Sequence, residues 1–318
     1  MSYVINDPEC NVIYGNTGIP ACPIDPGLIY GGALVDTSFS LTPTEVLTIK
    51  AQLQAAAVAD GKARLFPLPR YEDIVDGTED PTEETLGLGA SLMLREGKMV
   101  KTIRFLKGGL CLLKNLRTFN TKDNIGIFHY ATELDGKHQI IGTLDSDGKL
   151  RPMALNQFYA YPVKLSDGKV GNQYRAKISE ENPSDWDNYG VVQVDFDPLA
   201  EVKGVVDLVL EAATPVTDTV VITVKTKCDL VNVYDDLSTL LADPDAWVAT
   251  KDGVAVTIDG VAVEPITKGF TLQITGATGD HVITLATAAA LAVLGIGGGN
   301  SNGYEASNSE TVTLTAGS

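Results

Sequence analysis

From residue 28 onward the chain reads as short apolar runs of period two separated by turn residues, interrupted by one clear helical pattern. Residues 28–41 alternate apolar and polar side chains, which predicts a first strand. Thr42-Pro43-Thr44-Glu45 then gives a capping-box signature with Pro at the first helical position, where its missing N–H goes unused. Val46, Leu47, Ile49, Leu53, Ala56 and Ala57 share one broad face until Asp60-Gly61, so a helix that packs on a sheet is expected here. Residues 64–70 form a Pro-limited connector. In residues 71–85 the acids Glu72, Asp73, Asp76, Glu79, Asp80, Glu83 and Glu84 crowd together with Gly77, Pro81 and few apolar residues, a pattern that predicts a long exposed loop.

Beyond residue 86 the signal is β. Strands are expected over 88–95, 99–106, 124–133, 138–144, 149–164, 170–179 and 190–196, with a short helix over 109–118. Glu96-Gly97-Lys98, Asp135-Gly136-Lys137, Asp147-Gly148-Lys149 and Asp167-Gly168-Lys169 read as tight hairpin turns, and four of them imply an antiparallel meander. Strands at 88–94 and 103–106 have little of the charge or proline that guards an exposed edge, which marks them as pairing edges for a neighbour, with Leu92 and Met93 as the test positions. Near residue 203 the composition shifts to short Val/Thr/Ile strands at 205–210, 219–225, 254–258, 270–274, 282–285 and 311–314, with helical turns at 237–248 and 286–294. That spacing fits an immunoglobulin-like sandwich without the Cys–Trp–Cys core. Residues 1–27, dense in Pro, Gly, Asn and Asp, read as an extended arm. The predicted order is therefore an arm over 1–27, a β-rich domain over 28–203 and an Ig-like domain over 204–318.

Composition narrows the function classes. A chain of 318 residues, 44% hydrophobic and 20% charged, is too long for one ordinary core and too apolar for global disorder. Neither a membrane-length apolar run nor a secretory leader is visible, so a membrane role is not expected. The net charge is −17, and residues 204–318 hold 4 Lys/Arg against 14 Asp/Glu. Such a surface repels phosphate and argues against a protein that reads nucleic-acid sequence, while leaving open a conduit that DNA passes without adhering.

Chemistry-bearing residues are sparse. Cys10, Cys22, Cys111 and Cys228 show no zinc spacing and read as reduced thiols, with a local Cys10–Cys22 bridge as the alternative. Asp145-Ser146-Asp147-Gly148 begins like a calcium loop, but Asn156 stands where an EF-hand needs its bidentate acid, so a hairpin turn is expected. Acids of 72–84 lack the rigid facing geometry of a glycosidase pair and read as a solvated or partner-binding face. Cys111 and His129 are the only Cys/His pair in the first domain to weigh as nucleophile and base, and the alternating Phe128-His129-Tyr130 favours a strand histidine. Residues 295–302 lack the Lys-Ser/Thr of a phosphate loop, and Trp186 and Trp247 read as core or interface anchors. No catalytic residue, metal or cofactor is expected.

The order of parts resembles tail tube proteins of tailed bacteriophages that carry a C-terminal Ig-like domain. The resemblance rests on residues 95–109, the hairpin series of 125–161, Cys228-Asp229-Leu230-Val231-Asn232-Val233-Tyr234, and Tyr304-Glu305 before the last Thr-rich strand. It implies a mainly β fold, an antiparallel sandwich or barrel flanked by a helix, whose sheets join into homo-oligomeric, commonly hexameric rings. Those rings stack through the arm and the acidic segment, with other virion proteins as further partners and DNA passing through an acidic lumen. The implied location is the virion, after synthesis in the bacterial host cytoplasm. Two other readings stand beside it: a capsid decoration or head–tail connector protein, and an adhesin whose Ig-like domain binds glycans.

Overall fold

The computed structural model describes residues 3–4, 27–85, 91–95, 97–105, 108–132, 136–166, 171–182, 185–186, 188–274, 278–297 and 303–315. Most of the arm expected over 1–27 lies outside them. Strand outweighs helix, 47% to 17%, so the mainly β class holds. Contacts divide the chain into two compact units, one of Met1–Leu53 with Lys62–Val202 and one of Gln54–Gly61 with Lys203–Ser318.

In the first unit the strands are β1 (Tyr3–Val4), β2 (Leu28–Asp36), β3 (Phe66–Pro67), β4 (Tyr71–Asp76), β5 (Thr82–Thr85), β6 (Ser91–Arg95), β7 (Val100–Phe105), β8 (Ile125–Thr132), β9 (His138–Leu144), β10 (Leu150–Arg151), β11 (Met153–Ala160), β12 (Tyr174–Glu180) and β13 (Tyr189–Val194). The helices are α1 (Pro43–Val46), α2 (Ile49–Val58, whose residues from Gln54 onward are counted with the second unit), α3 (Gly109–Arg117) and α4 (Pro198–Glu201). The main sheet runs β1-β13-β9-β8-β11-β12-β7-β4 and curls into a half-barrel, with β2 lying along the other edge of β8. Seven of the eight residues of β8 are buried, the mark of a strand covered on both faces. Ile125, Ile127 and Ala131 join a core with Leu113 and Leu116 of α3 and with Ile103, Phe105, Ala176 and Ile178, while Phe128 meets the ring of Phe39 edge-on.

The capping box forms as expected: the Glu45 N–H donates to Thr42 Oγ1, and the Thr42 N–H donates to Glu45 Oε2 at 2.8 Å. The single helix expected after it is broken at Leu47–Thr48 into α1 and α2, and α3 forms at its expected place. The long acidic loop expected over 71–85 is instead two strands. β4 pairs with β7 and β5 with β6, because the acids of β4 face the cations of β7, with Asp73 opposite Arg104 and Asp76 opposite Lys101. The strands on either side of the expected Glu96-Gly97-Lys98 turn do not pair with each other: β6 pairs with β5, and β7 with β4 and β12. Gly97 is needed for close approach, since a Cβ there would lie 1.6 Å from the Glu79 carbonyl oxygen. β7, read as an edge, is an interior strand paired with β4 and β12. Asp147-Gly148 does turn the chain between β9 and β10.

The second unit contains β14 (Val205–Ala212), β15 (Thr219–Thr226), β16 (Trp247–Lys251), β17 (Val254–Val256), β18 (Gly260–Glu264), β19 (Gly269–Gln273), β20 (Gly279–Leu285), β21 (Gly303–Ala306) and β22 (Glu310–Leu314), with α5 (Tyr234–Leu237) and α6 (Ala288–Val293). Sheets β18-β19-β15-β14-β21 and β17-β16-β20-β22 share one apolar core, in which Leu208, Ile222 and Phe270 meet Trp247, Ile283 and Val312. β14 and β21 run parallel, and all other pairs are antiparallel. Trp247, placed by sequence in a helical turn, starts β16 after a single 3-10 turn.

Gly97→Val should force the two strands of the 71–105 segment apart, destabilising them by about 1–3 kcal/mol. Hydrogen exchange should then be faster at the amides of Gly77 and Glu79, which bond to Val100 and Lys98. Unchanged protection at both would refute the close-approach role of Gly97.

Candidate assembly surface

The described residues 71–85, 91–95 and 97–105 form one long β arm. At its root Tyr71 and Phe105 are opposite each other and buried, their rings 5.7 Å apart. Outward from there the ladder continues through β4 and β7, then through the Gly77 N–H donating to the Val100 carbonyl at 2.8 Å and the Glu79 N–H donating to the Lys98 carbonyl at 3.0 Å, to β5 and β6. Thr78 donates through its amide and hydroxyl to Asp76 Oδ1, at 2.9 and 2.6 Å, and these bonds, hydroxyl first, hold the Asp76 carboxyl below its usual range. Arg104 Nε stands 3.3 Å from Glu72, and its Nη2 3.9 Å from Asp73.

The arm gathers the acidic and apolar candidates onto one element. Glu72, Asp73 and Asp76 lie on β4, Glu79 and Asp80 on the connecting ladder, Glu83 and Glu84 on β5, and Leu92 and Met93 on β6. Glu83 is opposite Met93 and Glu84 opposite Leu92, so by the alternation of the pleat each face of the tip carries one acid and one apolar residue. Leu92 is 50% and Met93 58% exposed. A strand solvated on one face would alternate apolar and polar residues, whereas this one presents apolar side chains on both.

β4 ends the main sheet, and among the described residues its outer edge has no partner. That edge, from Pro69 to Ile74, faces residues Leu28 to Tyr30 across a groove of about 730 Å³. Leu28 is 77% exposed at its mouth. Tyr30 is fixed by donating its hydroxyl to Asp197 Oδ1 at 2.9 Å.

Where the arm leaves the sheet, a polar cluster is buried. Lys101 Nζ contacts Glu180 Oε1 at 2.6 Å and lies 4.5 Å from the centre of the Trp186 ring, while the Trp186 indole N–H donates to Glu180 Oε2. His129 stacks on Trp186 and approaches Glu180 to 3.6 Å, and it is 1% exposed. Burial opposes ionisation of Glu180, but His129 and the Lys101 ammonium outweigh it and hold the carboxyl at about 2. Burial likewise pushes the His129 pKa down and keeps the ring neutral. Sequence reading missed this cluster, because its members are 28 or more positions apart except for Glu180 and Trp186.

The other candidates resolve into structural roles. Asp145 Oδ1 accepts from the Asp147 and Lys149 amides, both at 2.9 Å, and Oδ2 from Arg151 at 2.7 Å, which is hairpin-turn chemistry. No group of three or more His, Cys, Asp or Glu among the described residues is placed to hold a metal. Cys111 and Cys228 each take part in a disulfide, correcting the expectation that they are reduced thiols. Cys111 is therefore no thiolate partner for His129. Cys10 and Cys22 lie outside the described residues. Gly295 and Gly297, with positive φ, follow the end of α6, and residues 298–302 of the same segment lie outside the described residues. Trp247 is a core anchor that donates to the Leu241 carbonyl at 2.8 Å.

Comparison with known protein families finds no matching family, and a search of curated proteins finds no match.

Two measurements test the cluster. Glu180→Gln should destabilise the first unit by about 3–5 kcal/mol in urea, because it strands a buried ammonium. Both depressed groups bind protons first in the unfolded chain, so stability should decline as pH falls below 6.5 through His129 and again from 4.5 towards about 2 through Glu180. His129→Phe should flatten the upper limb of that profile, and an unchanged limb would exclude His129 as its source.

Proposed function

We propose that this chain is a virion structural protein, a non-enzymatic tail tube subunit that self-assembles into stacked rings around a conduit for phage DNA. The observation that carries this reading is the arm: a long hairpin, rooted in the core, whose tip exposes Leu92 and Met93 on opposite faces beside Glu83 and Glu84. Such a tip is poorly suited to remain in water and well suited to lie between protein surfaces. The unpaired β4 edge supports the same reading, since a sheet ending in open backbone donors and acceptors can be extended by a neighbour's strand. Its acids discourage indiscriminate pairing, so a neighbour must bring matching cations. The resemblance to tail tube proteins and a net charge of −17, which repels passing DNA, agree with it. Partners are further copies of the chain, in rings of hexameric type, and other virion proteins, with no membrane, metal or cofactor. The second unit is an external Ig-like module in this reading.

Replacing residues 79–98 by a two-residue turn retains the β4–β7 root and removes the tip. The shortened protein should fold and remain monomeric in sedimentation velocity, while the full chain forms stacked rings or tubes in negative stain. Normal tubes from the shortened protein would overturn the role of the arm. Isolated trimers or monomers of the full chain would favour a capsid decoration protein, and glycan-array binding by the full chain an adhesin.

A further inference from the structure

The arm tip needs a surface of opposite charge with apolar area beside it, and α3 carries one. Leu113 and Leu116 bury one side of this helix in the core. On its outer side Leu110, Lys114 and Arg117, spaced i, i+4, i+7, fall on one stripe. All three are exposed, Leu110 by 68%. Cations in the last turn complement the helix dipole, which accounts for the sign of Lys114 and Arg117 but not for the bare leucine a turn earlier. Lys114 and Arg117 make no ion pair with any described residue, and neither do Glu83 and Glu84. In a chain with 41 acids and 24 basic residues, the stripe thus sets an exposed apolar side chain one turn before two cations that have no ion-pair partner among the described residues.

We infer that one face of the arm tip of one copy docks on the α3 stripe of a second copy, its acid, Glu83 or Glu84, meeting Lys114 and Arg117 while the apolar residue opposite that acid, Met93 or Leu92, covers Leu110. Dimensions agree: the stripe spans about 10 Å at 1.5 Å per residue, and a two-stranded tip, with strands about 4.8 Å apart, covers it with its side chains. Tip and stripe are different surfaces of the same molecule, so the contact is heterologous. It repeats from copy to copy and generates a closed ring or a stack, not a two-fold dimer. This inference rests on the self-assembly reading and names the acceptor that the reading leaves open.

The test is charge reversal on each side. Variant E83K/E84K and variant K114E/R117E should each weaken self-association by about tenfold or more in sedimentation velocity, because like charges then face each other. All four positions are exposed, so both variants should keep the thermal melt of the parent. Mixed in equal amounts, the two variants should assemble again, since the reversed tip of one meets the reversed stripe of the other and the two unaltered surfaces also match. The chain carrying all four changes should assemble within about threefold of the parent, with weaker salt-sensitive assembly in either reversed variant alone. Assembly unaffected by K114E/R117E, or failure of both the mixture and the fourfold variant to recover, would overturn α3 as the acceptor while leaving self-assembly intact. A parent chain that stays monomeric at every concentration would overturn self-assembly itself.

Discussion

The contact between Lys101 and Glu180 is the constraint on which the arm depends. Along β7 the inward positions are Phe105, Ile103 and Lys101, so the row that begins in the core ends in an ammonium where the sheet gives way to the arm. A charge at that depth is tolerated only with a partner, and Glu180 at the end of β12 supplies it, itself held by Trp186 and bordered by His129. Pairs of this kind contribute little net stability against an apolar replacement, but they penalise every arrangement in which the two charges do not meet. A one-residue slip of β7 on β12 would put Lys101 on the wrong face and leave Glu180 buried alone. The pair thereby fixes the register of the strand that carries the arm, and with it the direction in which the tip projects.

Strands whose apolar residues alternate against solvent or core were legible in the sequence: β8, β9, β11, β12, β14 and β15 lie close to their expected positions. α3 was legible for the same reason, because its buried leucines repeat with helical spacing. The acidic strands β4 and β5 were not. What stands across each ladder, Arg104 and Lys101 of β7 for β4 and the strand β6 for β5, supports them, and no reading of one segment by itself contains that information. Gly97 misled for a related reason, since Glu-Gly-Lys has the composition of a turn while its glycine serves close passage of a neighbouring backbone. Acids with Leu92 and Met93 nearby were singled out by residue type, and their joint placement on paired strands required the fold.

The surfaces proposed for assembly differ in character. The β4 edge presents backbone groups beside Glu72 and Asp73, whereas the tip adds the exposed side chains of Leu92, Met93, Glu83 and Glu84 to a two-stranded sheet. In the proposed assembly, edge pairing would set distance and direction between copies through hydrogen bonds, and side-chain contact at the tip would set which surface is chosen.

The way the arm is built into the sheet also decides how it bears load. Hydrogen bonds of an antiparallel ladder lie across the strands, so a pull along the arm axis must slide β7 past both β4 and β12 at once, breaking many bonds together. A pull directed sideways at the tip meets only one pair at a time and opens the hairpin like a zipper. The proposed assembly, if lengthened along the arm axis, would carry tension along the stiff direction of this ladder, while bending would fall on the soft one.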